Sequence, residues 1–294
     1  MSVGDICAVT SALFWSVSVI LMRVSGLQVP PLPLTFFKIW VAVFLLMGTL
    51  LWEGSPWVLD LTGQDYLRLV ISAVLGITLA DTMIAAALNR LGASLQALAD
   101  CVYSPAIALV GLLMFGERLS VWEMIGGALV VSGVFVGAAR TVEIKKPADL
   151  WVGILLAAAA HIIMAVGILM VRDLFREHSL IWVSAFRFVV AGVVMFLWVA
   201  PRGRKKLGQL FLGFRRRDTW KAMIPMSILG PFLATLFWVA GFKHLTAGRA
   251  AIFNQLSTVF IVLLAYLVLR EKFTMRKIAG ILLAVAGSLV VAIH

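Results

Sequence analysis

The chain has 294 residues, of which 62% are hydrophobic and only 13% charged, and its mean hydropathy is +1.05. Soluble domains average about 45–50% apolar and about 25% charged residues, so this composition excludes a water-soluble fold and indicates a polytopic membrane protein. The net charge of +11 would suggest nucleic-acid binding in a soluble protein, but basic loops beside apolar spans instead orient a protein in the bilayer. We therefore expect a lipid bilayer environment and no nucleic-acid partner.

Ten apolar runs are long enough to cross the hydrocarbon core, which takes about 20 helical residues. The runs are continuously apolar, whereas the strands of a membrane barrel would be about ten residues long with alternating polarity. We therefore predict an all-α integral membrane fold with ten transmembrane helices. The predicted spans are residues 3–23, 33–52, 66–88, 92–115, 121–139, 150–171, 180–200, 220–241, 250–269 and 277–293.

The second half of the chain repeats the first. Residues match at an offset of 154 in the later part of each half and at an offset of 149 in the earlier part. Each half holds five spans, and because five is an odd number the second copy must be inverted, as in many secondary transporters with a site near the midplane. We predict two inverted five-helix repeats, 1–143 and 150–294. The matched pairs include Glu117 with Glu271, Gly126 with Gly280, Gly133 with Gly287, and Lys38 with Arg187.

The fourth and fifth spans carry a pattern of small residues, a Ser-Pro pair, a Gly-Glu turn and two helix glycines. The pattern resembles that of EamA-type carriers of the drug/metabolite transporter superfamily, and the resemblance covers nearly the whole chain. It implies a ten-helix secondary transporter; such carriers export amino acids, drugs or other small metabolites, and a few move sugars or phosphorylated compounds. The second copy departs at Val259 and Arg270. The residues of the pattern are Ala93, Ala97, Ala99, Ser104, Pro105, Gly116, Glu117, Gly126 and Gly133.

The basic residues favour one orientation in the membrane. The loops after odd-numbered spans carry seventeen Lys and Arg residues, against six in the other loops. Because basic loops stay in the cytoplasm, both termini are expected on the extracytoplasmic side of a cell membrane, with the bacterial inner membrane as the expected location. Eight of the seventeen lie within 202–221, so the contrast depends on one loop.

Five ionisable residues stand out inside the predicted spans, where each costs about 2.5–3.5 kcal/mol on insertion scales and indicates a functional site. By their positions along the spans, we expect Lys38, Asp81 and Asp100 in one layer and Arg187 in the mirror-related layer. Lys38 or Arg187 would bind a substrate carboxylate or other anion, and Asp81 or Asp100 an ammonium group. The alternative is that Lys38 pairs with Asp81 or Asp100 and only holds helices together. The fifth residue is His161.

Three of these residues are candidates for proton coupling, namely Asp81, Asp100 and His161, since buried carboxylates and imidazoles can titrate. Polar and aromatic residues near mid-span are further substrate-binding candidates, with plain packing as the alternative for each. Asn254 occupies the repeat position of Asp100. These further candidates are Trp15, Tyr103, Trp238, Asn254 and Gln255.

Other classes of protein find no support in the sequence. It has no Walker A, dinucleotide-binding or HExxH motif, so we expect no enzyme activity and no cofactor, and Cys7 and Cys101 lie in apolar runs that suggest neither a disulfide nor a metal site. Glu117 and Glu271 are interpreted as turn residues that bind their basic neighbours Arg118 and Lys272 or nearby backbone.

The predicted function is secondary active or facilitative transport that exports a small metabolite such as an amino acid, including an aromatic one, with proton coupling and uncoupled flux both open. The alternatives are a drug or cation exporter of the same fold, a channel, or an intramembrane lipid-modifying enzyme. The small-residue pair Gly133 and Gly137 is typical of close helix packing, and we expect a monomer or a weak homodimer.

Overall fold

The computed structural model describes residues 3–116, 120–138, 147–237, 247–272 and 274–293, and these residues are helical along nearly their whole length. Short helices lie in two of the connections, at Arg172–Glu177 and at Arg204–Leu210. The long helices of the described residues follow the ten predicted spans. They are α1 (Val3–Gly26), α2 (Pro31–Glu53), α3 (Gly63–Leu91), α4 (Ala93–Phe115), α5 (Val121–Ala138), α6 (Pro147–Leu169), α7 (Leu180–Val199), α8 (Arg217–Phe237), α9 (Ala247–Leu267) and α10 (Met275–Ile293).

The lengths and surfaces of these helices are those of a membrane-spanning bundle. Within the described ranges, seven helices are long and apolar enough to cross a membrane, and the apolar stretches of α5 and α9 are shorter. Large apolar side chains face outward in mid-helix, with Phe44 79%, Leu155 66% and Leu282 65% exposed. Apolar surface on this scale is typical of contact with lipid. The chain is a multi-pass membrane protein, and the predicted all-α fold is confirmed.

Local sequence sets several helix ends. The chain enters α2 through Pro31, since proline fits the first turn of a helix, and leaves it at Gly54, whose φ of 64° closes a left-handed cap. The hydroxyl of Thr62 caps α3 by accepting a hydrogen bond from the Asp65 N–H at 3.2 Å.

Glycine contacts between α5 and α10 reveal how the two repeats are related. A Cβ atom on Gly133 would lie 2.6 Å from the carbonyl oxygen of Gly280, and one on Gly287 would lie 2.5 Å from the carbonyl oxygen of Gly126. Because Gly126 and Gly133 are the repeat partners of Gly280 and Gly287, exchanging the repeats maps one contact onto the other. The contacts run in opposite chain order, so the two helices are antiparallel. The two-fold axis is therefore perpendicular to them, and the repeats are inverted.

The third helix of each repeat contains a π-helical segment at the same repeat position. These segments are Val74–Leu79 in α3 and Ile228–Ala234 in α8, and their first residues are separated by the repeat offset of 154. In a π segment the backbone hydrogen bonds skip one extra residue, which locally widens the helix. Each repeat therefore carries the same irregularity at the same repeat position of its third helix.

Equivalent side-chain contacts join each of these third helices to the first helix of the other repeat. The Ser18 hydroxyl of α1 donates to the Met226 carbonyl of α8 at 2.8 Å, and the Ser72 hydroxyl of α3 donates to the Gly167 carbonyl of α6. Ser72 and Met226 are repeat partners, and so are Ser18 and Gly167. The core of the bundle therefore lies between the repeats, where α1, α3, α6 and α8 pack together.

Candidate functional site

Lys38 and Asp81 form an ion pair between α2 and α3. The Nζ atom of Lys38 lies 2.6 Å from Oδ2 of Asp81, and the two side chains are only 6% and 13% exposed. Asp81 follows directly after the π segment Val74–Leu79 and Ala80, and such segments frequently occur at functional sites. Of the two partners that the sequence allowed for Lys38, the structure selects Asp81.

Asp100 lies at a break in α4 and faces α6. Its Oδ1 atom lies 3.3 Å from Nε2 of His161 and accepts a hydrogen bond of 2.7 Å from Nε2 of Gln96, one turn earlier in α4. The His161 side chain is 7% exposed and that of Asp100 20%. The acid and the imidazole that the sequence singled out separately are therefore direct neighbours.

The surroundings of His161 fix the roles of its two ring nitrogens. Its Nδ1 atom lies 2.7 Å from the carbonyl oxygen of Ala157, and because a carbonyl can only accept, Nδ1 must carry a hydrogen. Nε2 is then the ring nitrogen that faces Oδ1 of Asp100 at 3.3 Å. The contact therefore places a carboxylate beside an imidazole nitrogen, two groups that can each accept a proton.

The backbone around Asp100 is irregular as well. The helix is interrupted at Cys101 and Val102 and resumes at Tyr103. Pro105 has no N–H group, so it cannot bond the carbonyl oxygen four residues back, which is that of Cys101. Broken helices at membrane depth are typical of the binding sites of transporters. The break in α4 therefore lies directly beside Asp100.

Arg187 of α7 is a buried cation whose guanidinium is incompletely bonded. Its Nη2 atom lies 3.5 Å from the carbonyl oxygen of Ser72, and its Cζ atom lies 5.5 Å from the ring centre of Phe175. The residue is 8% exposed and its Nε atom has no hydrogen-bond partner among the described residues. A Cβ atom on Gly76 would lie 3.0 Å from Nη2, so the glycine of the π segment makes room for the guanidinium.

Arg187 lies near Asp81 and near a neighbour of the Asp100–His161 pair. It is within electrostatic range of both Asp81 and Tyr103, and the ring of Tyr103 meets that of His161 edge-on, with centroids 5.9 Å apart. The expected separation of Arg187 into a second layer therefore does not keep it away from Asp81. With Lys38, the cluster contains two basic side chains, two carboxyl groups and one imidazole.

The remaining predicted site residues are less closely connected to this cluster. Trp15 packs in the core at α8, with its ring about 4.0 Å from the Cβ position of Gly230. Trp238 lies outside the described residues. Asn254 and Gln255 belong to α9, and their side chains are also outside the described part of the structure.

Three residues of the cluster were not predicted from the sequence, namely Gln96, Ser72 and Gly76. Gln96 is fully buried, and its Oε1 atom has no partner among the described residues. Its spacing of four residues from Asp100 was the available signal, since residues four apart share one face of a helix. No comparable signal pointed to Ser72 and Gly76, because their roles depend on α6 and α7.

Replacement of Lys38 by methionine is expected to lower the apparent melting temperature in detergent, since removing one partner of a buried ion pair costs about 3–5 kcal/mol. In the double variant Lys38→Met/Asp81→Asn, which leaves no uncompensated charge, most of the lost stability should return. Equal melting temperatures for the wild type and Lys38→Met would refute a contribution of this pair to stability.

The fold and this site define a class of protein. Ten antiparallel helices in two inverted repeats, with a broken helix and buried charges between the repeats, are the plan of a secondary transporter. A solved structure described as "Crystal structure of protein" has the same fold, with a TM-score of 0.66 at 20% sequence identity over 98% of this chain and 95% of that one.

The family follows from the sequence of each half. The model of the EamA-like transporter family matches residues 2–137 and again residues 151–293, so the chain belongs to the EamA-like transporter family and is a membrane transporter. It is 28% identical over 155 residues to the "Uncharacterized transporter YetK" of Bacillus subtilis (strain 168), a match over 52% of this chain and 44% of that protein. These relationships favour transport over catalysis.

Proposed function

We propose that this transporter exports small zwitterionic metabolites, amino acids among them, by alternating access of two moving halves, 1–143 and 150–294. The proposal rests on complementary groups within one buried cluster. Arg187 offers an unpartnered Nε–H to a carboxylate, and the Asp100–His161 pair offers a carboxylate oxygen to an ammonium group. Tyr103, between them, supplies a ring against which an aromatic side chain can pack. Export as the direction is supported by the family resemblance alone.

The charge of the cluster favours a zwitterion over a simple cation. Lys38 and Arg187 are both buried, and two permanent cations would repel a cargo without a negative group. A drug or cation exporter would better suit a cluster in which acids are in excess. A planar guanidinium is also well matched to a carboxylate, since it can form two parallel hydrogen bonds.

The contact between Asp100 and His161 suggests how transport can be coupled to protons. An ammonium group that binds Oδ1 of Asp100 would occupy the position that His161 Nε2 holds at 3.3 Å. Substrate and proton would then compete for one carboxylate, which is the requirement for exchanging one for the other across the membrane. Asp81, already paired with Lys38 at 2.6 Å, is less available for this role.

We also propose how the chain is oriented in the membrane and in which membrane it lies. The Lys and Arg counts support cytoplasmic loops after the odd-numbered helices and extracytoplasmic termini. The similarity to a Bacillus subtilis transporter is consistent with a bacterial cytoplasmic membrane. The cargo would accordingly enter from the cytoplasm.

Binding of amino acids to the purified transporter tests the proposed substrate class. We expect at least one amino acid to raise the melting temperature in a concentration-dependent manner, because a ligand that binds only the folded state stabilises it by about 2.7 kcal/mol at 100 times its Kd. The decarboxylated amine of the same amino acid should give a much smaller shift. Arg187→Gln should abolish the difference between the two, while Arg90→Gln, at an exposed position, should retain it. Equal stabilisation by the amine would contradict a carboxylate site.

A further inference from the structure

The carboxylate of Glu271 joins the two repeats at one face of the bundle. Its Oε1 atom accepts the N–H of Ala93 at 2.7 Å, and its Oε2 atom accepts the N–H of Ser94 at 3.0 Å and the Ser94 hydroxyl at 2.5 Å. These N–H groups belong to the first turn of α4, where they have no partner within the helix and attract an anion. Glu271 lies in the turn between α9 and α10, so the end of the second repeat caps a helix of the first.

This contact requires a glycine at the start of α4. Gly92 has a φ of +79°, and a Cβ atom at that position would lie 2.8 Å from Oε1 of Glu271. Only glycine adopts this conformation readily and leaves room for the carboxylate. The interpretation of Glu271 as a residue that binds its neighbour Lys272 or nearby backbone is therefore wrong in one respect, because its backbone partners lie 177 and 178 residues away.

A basic residue extends the contact to two more helix ends. Arg23, near the end of α1, donates from Nη1 to the carbonyl oxygens of Leu88 at 3.2 Å and Asn89 at 2.8 Å, in the last turn of α3. Arg23 also lies within electrostatic range of Glu271. The ends of α1 and α3, the start of α4 and the α9–α10 turn therefore meet at one face, which we call the latch face.

The opposite face is different. There, the start of α3 and the ends of α4 and α6 surround a cavity of about 430 Å³, lined by Arg68, Phe115, Met170 and Arg172 among others. Arg172 is the repeat partner of Arg23, yet its guanidinium lies 3.9 Å above the ring of Phe115. Helix ends that are related by the repeat are therefore in contact at the latch face, whereas at the opposite face they border the cavity.

We propose that Glu271 is a latch that keeps the transporter closed at the latch face, and that its bonds to α4 break whenever substrate passes that face. The inference rests on the proposed alternating access, in which packed helices exchange between two arrangements. Since Glu271 is placed on the turn after α9 and its ligands on α4, separating α4 from α9 must break all three hydrogen bonds. In the proposed orientation this face is cytoplasmic.

A native cysteine reports on this movement without any substrate. Cys101 is 1% exposed, and its Sγ atom lies 3.8 Å from Oγ1 of Thr258 in α9, so a thiol reagent reaches it when α4 and α9 separate. In a Cys7→Ser background, the rate of N-ethylmaleimide labelling of Cys101 measures how often the latch is open. Glu271→Gln, which keeps the shape and removes the charge, is expected to raise this rate at least about tenfold, equivalent to about 1.4 kcal/mol.

Glu123→Gln is the matched control. Glu123 also accepts a backbone N–H at a helix start, that of Ser120 at 2.6 Å, but within its own helix, and its replacement should leave the rate within about twofold of the parent. Ser94→Ala removes one of the three bonds and should give a smaller increase of a few-fold, even if Glu271→Gln fails to fold. Any of three results would overturn the latch. The first is an unchanged labelling rate in folded Glu271→Gln, and the second is an equal increase in Glu123→Gln. The third applies if Glu271→Gln does not fold, and is an unchanged labelling rate in Ser94→Ala. Because labelling needs no cargo, this outcome is independent of whether amino acids are substrates.

Discussion

The Asp100→Asn variant is expected to transport its substrate about 10–100 times more slowly than the wild type. The amide lacks the negative charge that would bind an ammonium group, and it cannot take up a proton as the carboxylate beside Nε2 of His161 at 3.3 Å can. A hydrogen bond to a charged group contributes about 1.5–3 kcal/mol, and each 1.4 kcal/mol corresponds to about a tenfold change in rate. The measurement is the initial flux into proteoliposomes of the amino acid that binds best.

The effect has to be separated from a general loss of acidic charge. Asp149→Asn removes a carboxylate at an exposed position in the first turn of α6, and its flux should stay within about twofold of the wild type. Equal flux in Asp100→Asn and the wild type, at matched amounts of folded protein, would remove Asp100 from the site.

The second large effect is expected at the glycine crossing of α5 and α10. Gly133→Ala should strongly destabilise the protein, since the new Cβ would lie 2.6 Å from the Gly280 carbonyl oxygen and 2.7 Å from the Ala284 backbone nitrogen. Backbone atoms cannot turn away as a flexible side chain can, so the two helices must move apart. Overpacking in a dense core costs about 1–3 kcal/mol, and the fraction that remains monodisperse after heating in detergent measures the loss.

Gly127→Ala, six residues earlier in α5, is the control for this crossing. A Cβ atom on Gly127 would lie 3.6 Å from Cβ of Pro105, an ordinary van der Waals contact. Alanine also favours a helix over glycine by about 1 kcal/mol, so this variant should be at least as stable as the wild type. If Gly133→Ala behaved in the same way, the close crossing of α5 and α10 would be refuted.

Much of the fold could be predicted from the sequence because membrane helices leave long apolar runs. The inverted arrangement followed from five spans per half, and Gly126, Gly133, Gly280 and Gly287 were already matched by the repeat. The sequence could not tell that these glycines pair crosswise, Gly133 with Gly280 and Gly126 with Gly287. That contact depends on the two-fold relation between the halves, which exists only in three dimensions.

The individual residues of the site could be predicted from the sequence, but the contacts between their side chains could not. A charge inside an apolar run is conspicuous, so Asp81 and Asp100 stood out, whereas the identity of their partners depends on helix rotation. The π segment at Val74–Leu79 left no mark in composition. Glu271 was misleading because it lies in a charged turn beside Lys272, and only the folded chain brings it to α4.

Flux across a pH gradient tests the central claim, that the buried cluster carries a zwitterion in exchange for a proton. Purified transporter in proteoliposomes would be supplied with a panel of radiolabelled amino acids, with and without a gradient, beside protein-free vesicles. We expect saturable flux of at least one amino acid, driven toward the side from which protons leave and about 10–100 times slower in Asp100→Asn. Equal flux with and without the gradient would contradict proton exchange, and flux no greater than in protein-free vesicles for every amino acid would contradict the proposed cargo.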